Sequence, residues 1–131
     1  MKIDKDTNIL IIGLGIIGGS YARGFTKAGY AVSAIDTDEE TIKFALENII
    51  AKGATQVDRG MIESADVIIF ALYPHIFREW IEKNQWYLRS GTIITDVTGV
   101  KGKLVRDIQN MLRDDCEYIA AHPMAGCERL G

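Results

Sequence analysis

The segment Gly13-Leu14-Gly15-Ile16-Ile17-Gly18 constrains what this chain can fold into more than any other stretch. The apolar run Asn8–Gly13 (NILIIG) before it reads as a buried strand. Ile16–Ala28 after it reads as a helix, stopped by Gly29. Three glycines at this spacing are a weak signal alone, because glycines gather in any tight loop. Between a strand and a helix they acquire separate tasks. Gly13 permits the tight turn, Gly15 lets a ligand approach the backbone with no Cβ in the way, and Gly18 lets the helix pack closely on the strand. The helix start, with Ile16 and Ile17 in its first turn, then offers unpaired N–H groups and a positive dipole end. Both suit a pyrophosphate.

The remainder of the chain continues the alternation, with no repeat, low-complexity tract or linker. Ala31–Asp36 (AVSAID) reads as a second strand. Thr37-Asp38-Glu39-Glu40 has the form of a capping box, with Thr37 as the cap and Glu40 three residues on. The helix it opens carries Ile42, Ala45, Leu46, Ile49 and Ile50 on one face and is closed by Gly53. Ala54–Val57 reads as a short edge strand. Asp66–Leu72 (DVIIFAL) is apolar throughout, as a strand covered on both faces should be, and Pro74 ends it. A helix with Phe77, Trp80, Ile81 and Leu88 on one side follows. Then come a strand at Thr92–Asp96 (TIITD), a turn at Gly99, and a helix with Leu104, Val105, Ile108, Met111 and Leu112 on one face. The strand Glu117–Ala121 (EYIAA) leads into His122-Pro123. At 131 residues this is one α/β domain: a doubly wound parallel sheet of the Rossmann class, with right-handed crossovers.

Ligands of such sheets sit beyond the carboxyl ends of the strands, so the informative residues are those just after strands. Asp36 lies 18 residues beyond Gly18, at the end of the second strand. A carboxylate there accepts both ribose hydroxyls of a dinucleotide and repels a 2′-phosphate. No Arg or Lys follows in residues 37–40 to neutralise one. The cofactor expected is therefore NAD, held by Gly13, Gly15, Ile16, Ile17, Gly18 and Asp36, with Leu72, Tyr73 and Pro74 beside it after the fourth strand. His75 is expected to be a loop residue near the ribose. Trp80 and Trp86 are read as packing residues.

Charge and composition narrow the partners. A net charge of −3 argues against nucleic acid. No apolar run is long enough to span a bilayer. Ile9–Ser20 is not read as a signal peptide, because Asp4 and Asp6 precede it and four glycines interrupt it. Cys116 and Cys127 have neither CxxC spacing nor neighbouring ligands. They read as reduced thiols of a cytoplasmic protein, with no metal site expected.

The post-strand segments GLGIIGGS, TDVTGVK and HPMAGCE, in this order and spacing, resemble the prephenate/arogenate dehydrogenase family of tyrosine biosynthesis. The resemblance spans essentially the whole chain, and HPMAG followed by Glu128 is its most specific element. It implies NAD-dependent oxidation of a cyclohexadienol coupled to loss of its carboxylate, with prephenate or arogenate as substrate. It makes His122 the catalytic histidine that takes the substrate hydroxyl's proton, and places Thr98 beside the nicotinamide. Where the family often has a serine this chain has Gly99, so Thr98 is the nearest hydroxyl that remains; Lys101 matches a family lysine and reads as structural. Family members continue into a helical domain that closes the substrate site and forms most of a homodimer interface. Residues 1–131 are accordingly expected to be the cofactor domain of a longer homodimeric enzyme, weakly active alone. Two other readings fit the glycine motif: an oxidoreductase of the β-hydroxy acid type, which HPMAG argues against, and a dinucleotide-sensing module without chemistry.

Overall fold

A computed structural model describes residues 4, 6–97, 99 and 102–120 of the chain. Its elements run β1 (Asn8–Ile12), α1 (Ile16–Lys27), β2 (Ala31–Ile35), α2 (Glu39–Asn48), β3 (Lys52–Ala54), α3 (Arg59–Ser64), β4 (Val67–Phe70) and α4 (Pro74–Asn84). A 3-10 turn at Gln85–Tyr87, β5 (Ile93–Asp96), α5 (Gly102–Met111) and β6 (Glu117–Ile119) follow. The six strands form one sheet in the order β3-β2-β1-β4-β5-β6, every neighbouring pair parallel. The chain works outward from β1 to one edge, returns to β4 on its other side, and works outward to the opposite edge. The β1/β4 junction is thus the topological switch point, where a doubly wound sheet leaves a crevice.

Alternate side chains of the central strands feed two separate cores, as the period of two dictates. Leu10, Ile12, Ile68 and Phe70 pack with Phe77, Ile81 and Ile108 from α4 and α5. Ile9, Ile11 and Ile69 pack with Ala22, Ile42 and Ala45 from α1 and α2. This double coverage is why β1 and β4 are continuously apolar. Among the described residues no helix is long and apolar enough to cross a membrane.

The structure departs from the sequence expectations at several boundaries. Gly53 does not close α2, which ends at Asn48; it lies inside β3, which spans Lys52–Ala54 rather than Ala54–Val57. A Cβ at Gly53 would sit 3.0 Å from Ile42 and 3.1 Å from Ile50, so the glycine lets α2 lie close on the edge strand. The cap of α2 is Asp38 and not Thr37. The Asp38 carboxylate accepts the Thr41 hydroxyl at 2.7 Å instead of a backbone N–H, so no capping box forms. Leu46 is exposed rather than packed.

Helix α3 was not anticipated. Its six residues are too few to display a period, and Asp58 starts it by accepting the Met61 N–H at 2.9 Å. Pro74 is the first residue of α4, where its missing N–H goes unmissed, and β4 has already ended at Phe70. Leu88 is buried, but it follows the 3-10 turn rather than belonging to the helix.

Candidate functional site

The glycine turn sits at the carboxyl edge of the sheet, and its three glycines meet three different surroundings. Gly13 has φ +97°, a conformation that L side chains rarely adopt, and a Cβ there would lie 2.6 Å from the Ala71 carbonyl oxygen. Gly18 is in the first turn of α1, where a Cβ would fall 1.9 Å from the Gly13 carbonyl oxygen. Both are demanded by the protein's own packing. Gly15 is different: its φ of −66° suits any residue, and among the described residues a Cβ would meet nothing within 4 Å. Neither the backbone nor any described neighbour calls for glycine at this position, which leaves space among the described residues directly before the helix.

That space faces a helix start with no capping side chain. Gly15 is the N-cap of α1 with no side-chain hydrogen bond, and the first turn carries no acidic residue. Ile16 is 95% exposed and Ile17 is 47% exposed, an unusual placement for two isoleucines unless something covers them. A groove of about 410 Å³ continues between α1 and α2, lined by Gly15, Ile16, Ser20, Arg23 and Phe44 among others. A larger cleft of about 800 Å³ lies at the opposite, amino end of the strands, against Asn8, Ala31 and Lys52. Among the described residues it touches none of the glycine turn, and doubly wound sheets do not bind ligands at that end.

Asp36 lies one residue past the end of β2, partly exposed, beside the turn. Its Oδ2 accepts the Leu14 N–H at 2.7 Å and its Oδ1 accepts the Asp38 N–H at 2.8 Å. Each carboxylate oxygen has a second lone pair, so both can also accept from a ligand hydroxyl. The second wall of the crevice is the β4–α4 connection. Ala71 donates its N–H to Ile12 and presents its carbonyl to Gly13. Leu72 is partly buried against the core, and its Cδ2 would lie 3.1 Å from a Cβ on Gly13. Tyr73 is 77% exposed as the N-cap of α4, with Pro74 next and no acid in the first turn. A second helix start without a side-chain cap therefore borders the same edge. His75 belongs to that first turn of α4 and is exposed; it is not a loop residue.

The structure thus gathers Gly13, Gly15, Gly18, Asp36 and Leu72 around one turn, with Tyr73 and Pro74 on the adjoining connection. Thr98, Lys101, His122, Cys127 and Glu128 lie outside the described residues. Two residues of this edge were not singled out from sequence. Ala71 is one: its carbonyl and methyl contact the glycine turn, and nothing but its place after an apolar strand marks it. Asp96 is the other. It is fully buried at the end of β5, opposite Phe70, and accepts the Tyr118 hydroxyl at 2.7 Å. Burial, together with the carboxylate that holds its proton, keeps the Tyr118 phenol well above the usual tyrosine range. The available signal was an acid closing an apolar strand, the same signal that marks Asp36.

Comparison with known proteins agrees with this geometry. Residues 21–131 match the family model described as prephenate dehydrogenase, nucleotide-binding domain. The chain is 34% identical to a prephenate dehydrogenase of Lactococcus lactis, over 94% of this chain and 35% of the relative. It is 33% identical to the Bacillus subtilis enzyme of that name, over 97% of this chain and 35% of that one. It therefore spans about a third of the length of these relatives. Among solved structures, the prephenate dehydrogenase of A. aeolicus in complex with hydroxyphenyl propionate and NAD+ superposes with a TM-score of 0.79 at 32% identity. The match covers 95% of this chain and 44% of that one. A 3-hydroxyisobutyrate dehydrogenase from Salmonella typhimurium also reaches 0.79, but at 16% identity over 86% of this chain and 40% of that one; this likeness is one of fold alone. A parallel doubly wound sheet, a glycine turn at its switch point and the family match together make this chain a member of the prephenate dehydrogenase nucleotide-binding domain family.

Proposed function

We propose that the chain is the NAD-binding part of a cytoplasmic, homodimeric dehydrogenase that oxidatively decarboxylates prephenate or arogenate in tyrosine biosynthesis. The observation that carries the cofactor assignment is Gly15, where open space faces an uncapped helix N-terminus within reach of the Asp36 side of the turn. The pyrophosphate is assigned to the N–H groups of Ile16, Ile17 and Gly18, and the adenosine ribose to Asp36. Leu72, Tyr73 and Pro74 flank the other side of the crevice. When bound, NAD supplies the hydride acceptor for the ring carbon that carries the hydroxyl.

The chain's own part in the reaction is proton handling and orientation. His122 is assigned as the base: a neutral imidazole is available at physiological pH to take the hydroxyl proton as the carbonyl forms. Thr98 is assigned to orient that hydroxyl in place of the serine that Gly99 replaces. Loss of carbon dioxide then leaves an aromatic ring, which makes the overall step irreversible.

The test is His122→Asn in the complete protein, with prephenate and arogenate each supplied as substrate. Turnover should fall by about 10²–10⁴, the usual worth of a positioned general base, with NAD affinity unchanged. A variant as active as the parent would remove His122 from the chemistry. A parent inactive on both substrates, yet binding NAD, would replace the dehydrogenase with a dinucleotide sensor.

A further inference from the structure

The carboxylate of Asp36 ties the glycine turn to the end of β2. β1 and β2 pair in register up to Ile12 and Ile35, and the Gly13 N–H donates to the Ile35 carbonyl at 2.9 Å. The next donor along the turn, the Leu14 N–H, meets no carbonyl of β2; it meets Asp36 Oδ2 at 2.7 Å. A side-chain oxygen thus holds an amide that the left-handed turn at Gly13 has carried out of the β1–β2 ladder. Its position is itself fixed, because the Asp36 N–H donates to the Ala54 carbonyl at 3.1 Å and the Asp38 N–H holds Oδ1. The Leu14 side chain is buried, so residue 14 is pinned at both its amide and its side chain, directly between Gly13 and Gly15.

We infer that Asp36 is a latch for the phosphate-binding turn as well as the acceptor for the ribose, and that the two tasks are separable. The inference rests on the NAD assignment above for its ligand but not for its first readout. If Asp36 served only the ribose hydroxyls, its removal would be felt solely by ligands that carry them. If it also holds Leu14, its removal loosens the turn with no ligand present and weakens every dinucleotide. Replacing Asp36 to admit a 2′-phosphate would then lose NAD without gaining NADP.

Two measurements on Asp36→Ala test this. In the cofactor-free chain, hydrogen exchange at the Leu14 amide should rise about tenfold, the scale of one lost charge-assisted hydrogen bond, while the amides of Ile9–Ile11 keep their protection. Unchanged exchange at Leu14 overturns the latch. The second probe is NAD whose adenosine ribose is 2′,3′-dideoxy. Asp36→Ala should bind it about tenfold more weakly than the parent does; equal affinity also overturns the latch. A parent that binds no dinucleotide sinks the NAD assignment instead and leaves the exchange readout standing. Asp36→Asn retains an amide oxygen for the Leu14 N–H. It should keep Leu14 protected, and loss of protection in a folded Asp36→Asn chain counts against the proposal.

Discussion

Alanine substituted one at a time for the three glycines of the turn should give two opposite phenotypes from a single motif. At Gly15 the chain itself has no objection. The backbone conformation is ordinary, and among the described residues a methyl would meet nothing within 4 Å. Alanine is a poorer N-cap than glycine by several tenths of a kcal/mol to about 1. It also restricts the unfolded chain, which returns about 0.4–1 kcal/mol. The two nearly offset, so folding stability should stay within about 1 kcal/mol of the parent, a shift in Tm of roughly 4 °C at most for a domain of this size.

Binding should behave otherwise. A methyl before the first N–H groups of α1 fills the space assigned to the pyrophosphate, and forcing an extra methyl into a close contact costs about 1–3 kcal/mol. That is roughly 5- to 150-fold in affinity. Gly18→Ala should invert the pattern. Its Cβ would lie 1.9 Å from the Gly13 carbonyl oxygen, so α1 or the strand must move by about 1 Å or more. The gain in helix propensity, about 1 kcal/mol, does not cover that displacement. Gly13→Ala adds a left-handed φ to a 2.6 Å clash. Thermal melts and NAD titration calorimetry on the three variants separate the cases. The reasoning fails if Gly15→Ala binds NAD as the parent does, or if its melt drops as far as that of Gly18→Ala.

Two further outcomes follow from the charged and buried groups. Tyr118→Phe removes one hydrogen bond to a fully buried carboxylate, which should cost about 1–3 kcal/mol in urea denaturation. Because the folded-state pKa of Tyr118 is raised, the stability it contributes is full below about pH 10 and is lost as the pH climbs toward that raised value. Alkaline titration by tyrosinate absorbance should find one more phenol un-ionised beyond that range in the parent than in the variant. Asp66 carries the opposite sign. Partial burial works against its ionisation, but the Asn8 N–H and the Arg89 guanidinium outweigh it and lower its pKa. Its contribution is full above about pH 4–5 and is lost as the pH falls through the lowered value. Asp66→Asn should therefore flatten the acid limb of a Tm-against-pH curve; an unchanged limb would show that the Asn8 and Arg89 contacts do not set it.

The parts of the fold legible in the sequence are those governed by burial on two sides. β1 and β4 announced themselves because a strand covered by helices on both faces admits no polar residue, and the glycine turn because packing at Gly13 and Gly18 excludes a Cβ. What was not legible depends on contacts at long range or on very short elements. The role of Gly53 is set by Ile42 and Ile50 of α2, which no local window can weigh against a helix stop. α3 is shorter than two helical turns and shows only its cap, Asp58. Thr37 and Asp38 are both acceptable caps by type. The choice fell to Asp38 where the Asp36 carboxylate had already taken the Asp38 N–H and fixed the entry into α2.

Asp36 and Asp96 show how one residue of register separates a binding group from a core group. Each closes an apolar strand at the same edge of the sheet, and by composition they are alike. Asp96 is the last residue within β5, so the pleat sends its side chain where Ile94 also points, into the layer under α4 and α5, opposite Phe70. There it is shut from solvent and hydrogen-bonded by Tyr118. Asp36 is the first residue beyond β2; its N–H still donates to the Ala54 carbonyl, but its carboxylate turns along the edge to the Leu14 amide with lone pairs to spare. In this sheet the strand-end acid whose carboxylate faces the ligand edge is the one just past its strand, not the one that is the strand's last member. This distinction needs the strand boundary to within one residue, a finer resolution than hydrophobic runs provide.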